Sequence, residues 1–481
     1  MTKSEMRNRA ESVLNNNTNL FKTKPETYQQ QFSGIYRKRL QTLWPVLAKA
    51  AGTKWISSNN KLSIIDKISN VIEYQDSVII GTVFLDQKNK PSILEELSKS
   101  QWEDDKPLPK NYCSDSQLYF LEDESGRIQI SLGDLSNKYV IVTGMIIAVL
   151  GAVGDDGIFI ATDISYSGLS VQRKKLEFKQ ETFEKDNNSG FDLSSDNISE
   201  NKLVAIVSGL EINNRSSEFE FKRQLLADFI CGQLGSSSVP SSRISNLIIA
   251  GNSINSFPQD LGLHYQEESD DFDHIYEKMV LLGLEKTNDA KFQETLTESK
   301  SEFEILDEYL SQLTNCLDVI LMPGESDPTS SILPQQQISV DIMLPKTHSM
   351  NSLHSTTNPA MFDIDNVSFL GSSGQNVQDI SRCLVDHNLI DIAYSTLSSR
   401  LFAPTSPDTI PCYPSQTHDP LILTECPNVY FIGNMPYFDS RVVVSEDGEK
   451  SVLIVLVPKF SATGELVLFD LQSKSVQLVQ F

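Results

Sequence analysis

The sequence predicts an α+β multidomain protein with an N-terminal helical segment, a β-barrel of the OB type and a larger sandwich of sheets and helices. Three observations predict this class. Short β-branched runs without helical spacers fill residues 71–185, apolar strands alternate with helices over 202–481, and a polar stretch separates the two parts. With 481 residues and 39% hydrophobic content, the chain is long and apolar enough for several cores.

The N-terminal segment, residues 1–70, is predicted to be helical and to dock on the rest of the chain. Residues 1–50 hold nine Lys/Arg against three Glu, although the whole chain carries a formal charge of −24. Residues 31–51 are typical of a helix, and a second short element at 61–70 leads into the strands. An apolar face at three-to-four spacing favours docking over contact with nucleic acid. This face consists of Phe32, Ile35, Tyr36, Leu40 and Leu43.

Residues 71–185 are predicted to form the OB-type barrel, because five β-runs follow one another without the crossover helices that a parallel sheet needs. The predicted strands are 77–85, 118–121, 127–132, 139–149 and 157–164, with a hairpin turn at 154–157. Between residues 71 and 172, seven Lys/Arg face sixteen Asp/Glu. Such an acidic barrel is not expected to bind single-stranded DNA, so a single-strand-binding module is the less favoured reading.

Residues 186–201, rich in Asn, Ser and Asp, are predicted to be a linker to the sandwich of residues 202–481. The helix at 301–317 carries one apolar stripe, and the block at 259–286 is interpreted as an acidic surface loop. The segment 371–374 (Gly-Ser-Ser-Gly) is interpreted as an ordinary turn, because it lacks the spacing and strand-to-helix context of a phosphate loop. The predicted strands are 203–208, 246–250, 318–322, 367–370, 428–432 and 452–457.

Four of these strands end in turns that contain glycine. The turns read Ile-Val-Ser-Gly-Leu (206–210), Ile-Ile-Ala-Gly-Asn (248–252), Leu-Met-Pro-Gly-Glu-Ser-Asp (321–327) and Tyr-Phe-Ile-Gly-Asn-Met-Pro (430–436). This pattern resembles the calcineurin-like metallophosphoesterases, whose corresponding turns read DxH, GDxxx, GNH(D/E) and GHxH and hold two metal ions. The resemblance implies an αββα phosphoesterase-like sandwich.

The residues at the ligand positions of those motifs bind metal poorly. They are Ser208 and Leu210 for the DxH pair, Asn252 for the bridging Asp, Glu325, Ser326 and Asp327 for Asn-His-Asp, and Asn434 and Pro436 for the two His of the last turn. Two cations about 3.5–4 Å apart need several carboxylates and neutral imidazoles as ligands. The sequence therefore predicts no catalytic residue, no metal and no cofactor. A metal-dependent phosphoesterase or nuclease that uses Asp327, Glu325 and Asn434 is the alternative.

An OB-type barrel followed by a phosphoesterase-like domain with altered turns is the arrangement of the B-subunits of eukaryotic replicative DNA polymerases. Within that group the sequence resembles the small-subunit family of DNA polymerase delta, from about residue 28 to the end. The matching strings include Ile35-Tyr36 with Arg39-Leu40, Pro91 to Leu94, Met322 to Pro328, Gly371 to Val377, Asp419-Pro420, Cys426 to Asn434 and Val457 to Thr463.

The resemblance implies a nuclear, non-catalytic accessory subunit that serves as a scaffold in DNA replication and repair. Its implied partners are the catalytic subunit of DNA polymerase delta, through a cysteine-rich C-terminal domain, and a third, elongated subunit. The catalytic subunit of a translesion polymerase is a further implied partner, whereas little direct DNA binding and no membrane association are expected. The B-subunit of another replicative polymerase is the alternative within the same group.

Overall fold

The described part of the chain forms a mixed α/β structure with three six-stranded sheets and a small two-stranded one. The computed structural model describes residues 9–16, 20–23, 31–56, 62–90, 111–113, 117–176, 178, 201–213, 217–234, 238–255, 301–385, 387–414, 418–445 and 447–481. The predicted acidic loop at 259–286 and all but the last residue of the predicted linker lie outside these ranges. Within them, no helix has both the length and the apolar character that crossing a bilayer requires.

The helices cover the outer faces of the sheets. They are α1 (Ser33–Ala51), α2 (Leu135–Lys138), α3 (Ser217–Ile230), α4 (Ser238–Arg243), α5 (Glu302–Thr314), α6 (Val340–Met343), α7 (Gln375–Arg382), α8 (Leu389–Ser398) and α9 (Phe460–Thr463). A π-helical turn at Gly52–Ile56 extends α1, and a 3₁₀ turn occupies Ile68–Asn70. The predicted helix at 301–317 is confirmed as α5, and its N-terminus is fixed by a capping box between Ser301 and Glu304.

The strands follow the order of the chain. They are β1 (Leu14–Asn16), β2 (Ile64–Ile65), β3 (Ser77–Asp86), β4 (Leu118–Glu122), β5 (Arg127–Ser131), β6 (Ile146–Val153), β7 (Phe159–Ser165), β8 (Val171–Gln172), β9 (Leu203–Val207), β10 (Ile244–Ala250), β11 (Asp318–Met322), β12 (Leu353–Ser355), β13 (Ala360–Ile364), β14 (Val367–Ser372), β15 (Glu425–Cys426), β16 (Val429–Met435), β17 (Asp439–Val444), β18 (Ser451–Pro458), β19 (Glu465–Asp470) and β20 (Val476–Gln480).

The first large sheet closes into a five-stranded barrel. β3 pairs with both β4 and β6, and the parallel pair β5–β7 completes the ring in the order β3-β4-β5-β7-β6. The predicted OB-type barrel is thereby confirmed. The predicted hairpin is also present, because Gly157 adopts a φ of +71° and the Gly154 amide donates to the Ile158 carbonyl at 3.0 Å.

One predicted strand of the barrel, residues 139–149, was wrong at its start. β6 begins only at Ile146, because the chain turns at Gly144 with a φ of +85°. A Cβ atom on Gly144 would lie 2.0 Å from the Pro404 carbonyl oxygen, so the backbone here packs tightly against the second half of the chain. The apolar residues Val140, Ile141 and Val142 are buried in that contact and do not pair in the sheet.

The second half of the chain stacks two sheets face to face. One sheet has the order β12-β11-β10-β9-β19-β20 and the other β1-β13-β14-β16-β18-β17. Alternation of side chains divides each strand between two cores: Val204 and Ile206 face the opposite sheet, whereas Ala205 and Val207 face helices α3 and α5. The Phe369 and Phe469 rings, one from each sheet, meet edge-on at 5.6 Å between centroids.

The N-terminal helix packs on the barrel. Its buried residues are Ile35, Arg39, Leu43, Leu47 and Ala51, at a spacing of four. The predicted apolar face is therefore only partly right, since Phe32 is 45% exposed and the arginine lies within the stripe. Docking, the favoured interpretation of this basic helix, is what the structure shows for residues 33–51.

A buried ion pair fastens this helix to the second half of the chain. Arg39 Nε donates to Asp419 Oδ2 at 2.6 Å, and Arg39 Nη1 donates to the Ser406 carbonyl at 2.6 Å. Both side chains are at most 4% exposed. Two of the strings behind the family resemblance, around Arg39 and Asp419, thus meet in one contact.

The barrel and the sandwich share one hydrophobic core. The largest buried cluster contains barrel residues such as Val83 and Phe159 together with Phe402 and Tyr430 of the second half. Polar contacts also join the two parts. Arg400 donates to the carbonyls of Gly168 and Leu169, and β8 pairs in parallel with β15. The two parts therefore form one packed unit.

We expect Arg39→Ala to destabilise the protein by about 3–5 kcal/mol, because the Asp419 carboxylate would be left buried without its partner. The measurement is the midpoint of urea-induced unfolding, followed by circular dichroism. Arg37→Ala is the matched control, since the Arg37 side chain is 65% exposed and its ion pair with Glu124 spans 3.5 Å. Equal midpoints for the two variants would contradict a central role for the buried pair.

Candidate functional site

The carboxyl ends of parallel strands from both sheets meet at one edge of the sandwich. β9, β10 and β11 are parallel in the first sheet, and β14, β16 and β18 are parallel in the second. Their turns approach so closely that a Cβ atom on Gly251 would lie 2.6 Å from Ser373 Cβ. One on Gly433 would lie 2.4 Å from the Ala250 carbonyl oxygen. We call this meeting of strand ends the turn cluster.

Glycine is required in the turn cluster for two reasons. Gly209 and Gly251 have φ angles of +64° and +83°, which residues other than glycine rarely adopt. In addition, a Cβ atom on Gly324 would lie 2.2 Å from Asn252 Oδ1. Asn252 and Asn434 also adopt positive φ angles, +55° and +56°, which asparagine tolerates better than most residues.

Ser208 links the two sheets. Its Oγ accepts a hydrogen bond of 2.8 Å from the Asn434 amide of β16 and donates one of 3.0 Å to the Pro458 carbonyl of β18. The residue is fully buried. Its hydroxyl is thus occupied by the backbone of the opposite sheet.

Asn434 is held in the same way. Its Nδ2 donates to the Ser373 carbonyl at 2.9 Å and more weakly to the Ala250 carbonyl at 3.4 Å. Its Oδ1 is buried and has no hydrogen-bond partner within the described residues. Asn434 therefore joins the ends of β10, β14 and β16.

Asp327 is a buried carboxylate that organises two neighbouring turns. Its Oδ1 accepts from the amides of Ser253 and Ile254 at 2.9 and 3.0 Å, and its Oδ2 accepts from the Gly324 amide at 2.8 Å. Burial raises the pKa of Asp327 to about 6, while these backbone hydrogen bonds act in the opposite direction. Both oxygens are engaged with the backbone.

Ser326 completes the contact between these two turns. Its Oγ donates to the Ile254 carbonyl at 2.6 Å, and its amide donates to Asn252 Oδ1 at 3.3 Å. Asn252 therefore uses its side-chain oxygen within the protein, at the position where the resemblance implies a bridging metal ligand.

Three of the eight predicted positions do not join the turn cluster. Leu210 is buried in the core between its sheet and helices α3 and α5. Glu325 is exposed to solvent. Pro436 is exposed as well and lines an open groove of 360 Å³ with Leu389, Met435 and Ala462.

The interpretation of residues 371–374 as an ordinary turn was wrong. Gly371 and Ser372 end β14, and Gly374, with a φ of +102°, directly precedes α7. The segment is therefore a strand-to-helix connection, and it brings Ser373 into the turn cluster. The predicted strand at 367–370 followed by glycine carried the same signal as the four recognised turns, so Ser373 could have been found.

Sequence reasoning also missed an amide network behind Ser373. Asn358 Nδ2 lies within hydrogen-bond distance of Ser373 Oγ (2.7 Å) and Gln335 Oε1 (3.1 Å), and Gln335 Nε2 donates to the Gly324 carbonyl at 2.7 Å. Asn358 and Gln335 are buried loop residues next to prolines. Gln335 lies in the string Leu333 to Gln336, which is one of those that resemble the family, but no predicted strand marks either residue.

A charged pair borders the turn cluster. Lys459, which follows β18, places its Nζ 2.5 Å from Glu211 Oε1, and Ser461 Oγ donates to the other oxygen of Glu211 at 2.6 Å. Within the described ranges, no three His, Cys, Asp or Glu side chains come together in an arrangement that could hold a metal ion. Within the turn cluster, Ser208, Asp327 and Asn434 fix strand ends through hydrogen bonds to the backbone.

Two known protein families match the two halves of the chain. Residues 31–164 match the family described as the OB-fold domain of the DNA polymerase delta subunit, and residues 204–440 match the family of DNA polymerase alpha/epsilon B-subunits. The chain is 32% identical to an Arabidopsis thaliana protein named DNA polymerase delta small subunit, over 98% of this chain and 96% of the plant protein.

Relatives from other kingdoms match over similar lengths. The Drosophila melanogaster protein named DNA polymerase delta subunit 2 is 29% identical over 99% of each chain. The Saccharomyces cerevisiae protein named DNA polymerase delta small subunit is 27% identical, over 97% of this chain and 93% of the yeast protein.

We expect Asp327→Ala to lower the free energy of unfolding by several kcal/mol, because three buried amides would lose their acceptor at about 1–3 kcal/mol each. Urea-induced unfolding followed by circular dichroism measures the change. Glu325→Ala is the control, since Glu325 lies two positions earlier and is exposed. If both variants unfolded like the wild type, Asp327 would not be organising the turns.

Gly251→Ala should destabilise the protein by about 3 kcal/mol or more, because it combines a positive φ with a steric clash. Gly157→Ala is the matched control: its φ of +71° is similar, but nothing lies within 4 Å of the added Cβ. We expect the control to cost only about 1 kcal/mol. Thermal unfolding of both variants separates the two effects, and equal losses would argue against close packing in the turn cluster.

Proposed function

The chain belongs to the family of DNA polymerase delta small subunits, and on this premise we propose that it is a non-catalytic accessory subunit that bridges the catalytic chain and a third, elongated subunit. Family membership, over nearly the whole length of the chain, supports the polymerase complex. The turn cluster is the observation that supports the absence of catalysis.

We further propose that the sandwich is a phosphoesterase-like domain with a degenerate site. Two stacked sheets with helices outside, and strand-end turns at one edge, support this reading. At that edge the polar atoms of Ser208, Asp327 and Asn434 hold backbone groups of neighbouring strands. A dinuclear centre needs several carboxylate and imidazole ligands that point toward a common space.

The scaffold role is supported by the way the parts of the chain are joined. A rigid bridge must keep its two binding surfaces at a fixed distance, and a shared core provides this better than a flexible linker does. Here helix α1, the barrel and the sandwich are joined by the Arg39–Asp419 pair and by one continuous apolar cluster. The division at residues 70, 185 and 201 stays a prediction.

The phosphoesterase alternative has two geometric points in its favour and two against it. Asp327 and Asn434 both lie at the turn cluster, as a metal site would require, and Asn434 Oδ1 is buried without a hydrogen-bond partner among the described residues. However, both oxygens of Asp327 already accept backbone hydrogen bonds, and Glu325 is exposed. A metal at Asp327 would have to share these oxygens with three backbone amides.

Charge supports further parts of the proposal. A net charge of −24 opposes the phosphate backbone, so we propose that the chain itself contacts little DNA. A nuclear location follows from the polymerase complex. A translesion polymerase catalytic subunit is a further proposed partner, on the family resemblance alone.

We expect the catalytic subunit and the third subunit to co-purify only when this chain is present, because it supplies the surfaces that join them. Affinity purification of the catalytic subunit from cells depleted of this chain, with re-expression as the control, tests the point. Recovery of an intact three-part assembly without the chain would refute the bridging role.

The purified chain should show no manganese-dependent nuclease activity above that of Asp327→Asn. This variant keeps the size of the side chain but removes the negative charge that a metal would require. The measurement is cleavage of a labelled single-stranded oligonucleotide in millimolar manganese. Cleavage by the wild type that Asp327→Asn abolishes would favour the phosphoesterase, provided the variant keeps the wild-type circular dichroism spectrum.

A further inference from the structure

Two cysteines that are far apart in the sequence lie side by side in the fold. Cys231 follows the last residue of α3, and Cys316 lies two positions beyond the end of α5. Their sulfur atoms are 2.8 Å apart, and both side chains are partly exposed. A disulfide bond between two sulfurs this close can form without a large movement of either helix end.

A positive charge lies beside the two thiols. The Arg9 guanidinium donates through Nη2 to the carbonyls of Ile230 and Ser241, and Ile230 directly precedes Cys231. The charge of Arg9 acts on both Cys231 and Cys316, and its Nη1 is buried without a hydrogen-bond partner among the described residues. A nearby cation favours the thiolate, which is the form of cysteine that reacts with oxidants.

We propose that Cys231 and Cys316 form a reversible disulfide when the protein meets a peroxide. One thiolate attacks the peroxide, so that a sulfur–oxygen bond forms, the oxygen–oxygen bond breaks and the leaving hydroxide takes up a proton as water. The second thiol then loses its proton and attacks the resulting sulfenic acid. The sulfur–sulfur bond forms as the second hydroxide leaves as water, and in sum two thiols are oxidised while one peroxide becomes two waters.

The surroundings act on the Cys231 thiol in both directions. Burial, and then the neighbouring Cys316, raise the pKa of this thiol to about 12, whereas the charge of Arg9 acts to lower it. Either sulfur can form the sulfenic acid, because the other lies close enough to resolve it. A reducing compartment keeps the pair as dithiol at rest.

The disulfide would join the ends of the two helices that cover the sheet of β9 to β12. α3 and α5 bury Leu226, Ile230, Leu310 and Leu313 against that sheet. The bond would also close a long loop between residues 231 and 316, which restricts the unfolded chain and raises thermal stability. Oxidation would thus stiffen one face of the sandwich and leave the turn cluster unchanged.

Counting thiols on the purified full-length chain tests the proposal. After treatment with hydrogen peroxide and unfolding in guanidinium, which exposes the three buried cysteines, Ellman's reagent should find four of the six thiols, and dithiothreitol should restore all six. Peptide mass spectrometry without reduction should find Cys231 joined to Cys316. Cys113→Ser, which removes another partly exposed thiol, should still lose two thiols. In Cys231→Ser, dimedone should trap a sulfenic acid on Cys316.

Two further results decide the matter. A peroxide-treated chain that lacks the Cys231–Cys316 peptide, or a Cys231→Ser, Cys316→Ser double variant that still loses two thiols, would overturn the proposal. Arg9→Gln should slow disulfide formation several-fold, because the cation that favours the thiolate is removed, and Arg9→Lys should restore most of the rate. An unchanged rate in Arg9→Gln would overturn the role assigned to Arg9.

Discussion

The structure depends above all on how closely the carboxyl ends of strands from two sheets approach each other. At that edge, glycines let the backbones touch, and the Asn434 backbone amide donates a hydrogen bond to Ser208 Oγ across the sandwich. The Ser208 hydroxyl and the Asn434 Nδ2 group are buried with backbone partners, whereas Asn434 Oδ1 has none among the described residues. The Ser208 hydroxyl and the Asp327 carboxylate are both used in this packing, so close packing of the strand ends supports the proposed loss of catalysis.

A second constraint is the union of the two halves. The Arg39–Asp419 pair is buried where barrel, N-terminal helix and sandwich meet, and a buried ion pair is stable only if its geometry and hydrogen bonds are good. The apolar run at residues 140–142, which looks like a strand, packs into the same seam. A protein that must hold two partners at a fixed distance benefits from such a rigid contact between its two halves.

Local patterns in the sequence predicted most of the strands, helix α5 and the barrel, because alternation and helical spacing record which side chains face a core. They failed where long-range contacts decide. Arg39 lies in an apolar stripe only because Asp419 reaches it, Gly374 directly precedes a helix, and Asn358 lies in a loop without any periodic signal. The approach of Cys231 to Cys316 is equally invisible, since it depends on how two helices cross the same sheet.

The most direct measurement is a map of the assembled polymerase complex in millimolar manganese, with anomalous scattering or cryo-EM density to locate ions. We expect the turns at Ser208, Asn252 and Asn434 to hold one another without any ion, and buried interfaces on this chain with two different subunits. Two manganese ions about 3.5–4 Å apart among those turns would show a working dinuclear centre and contradict the account.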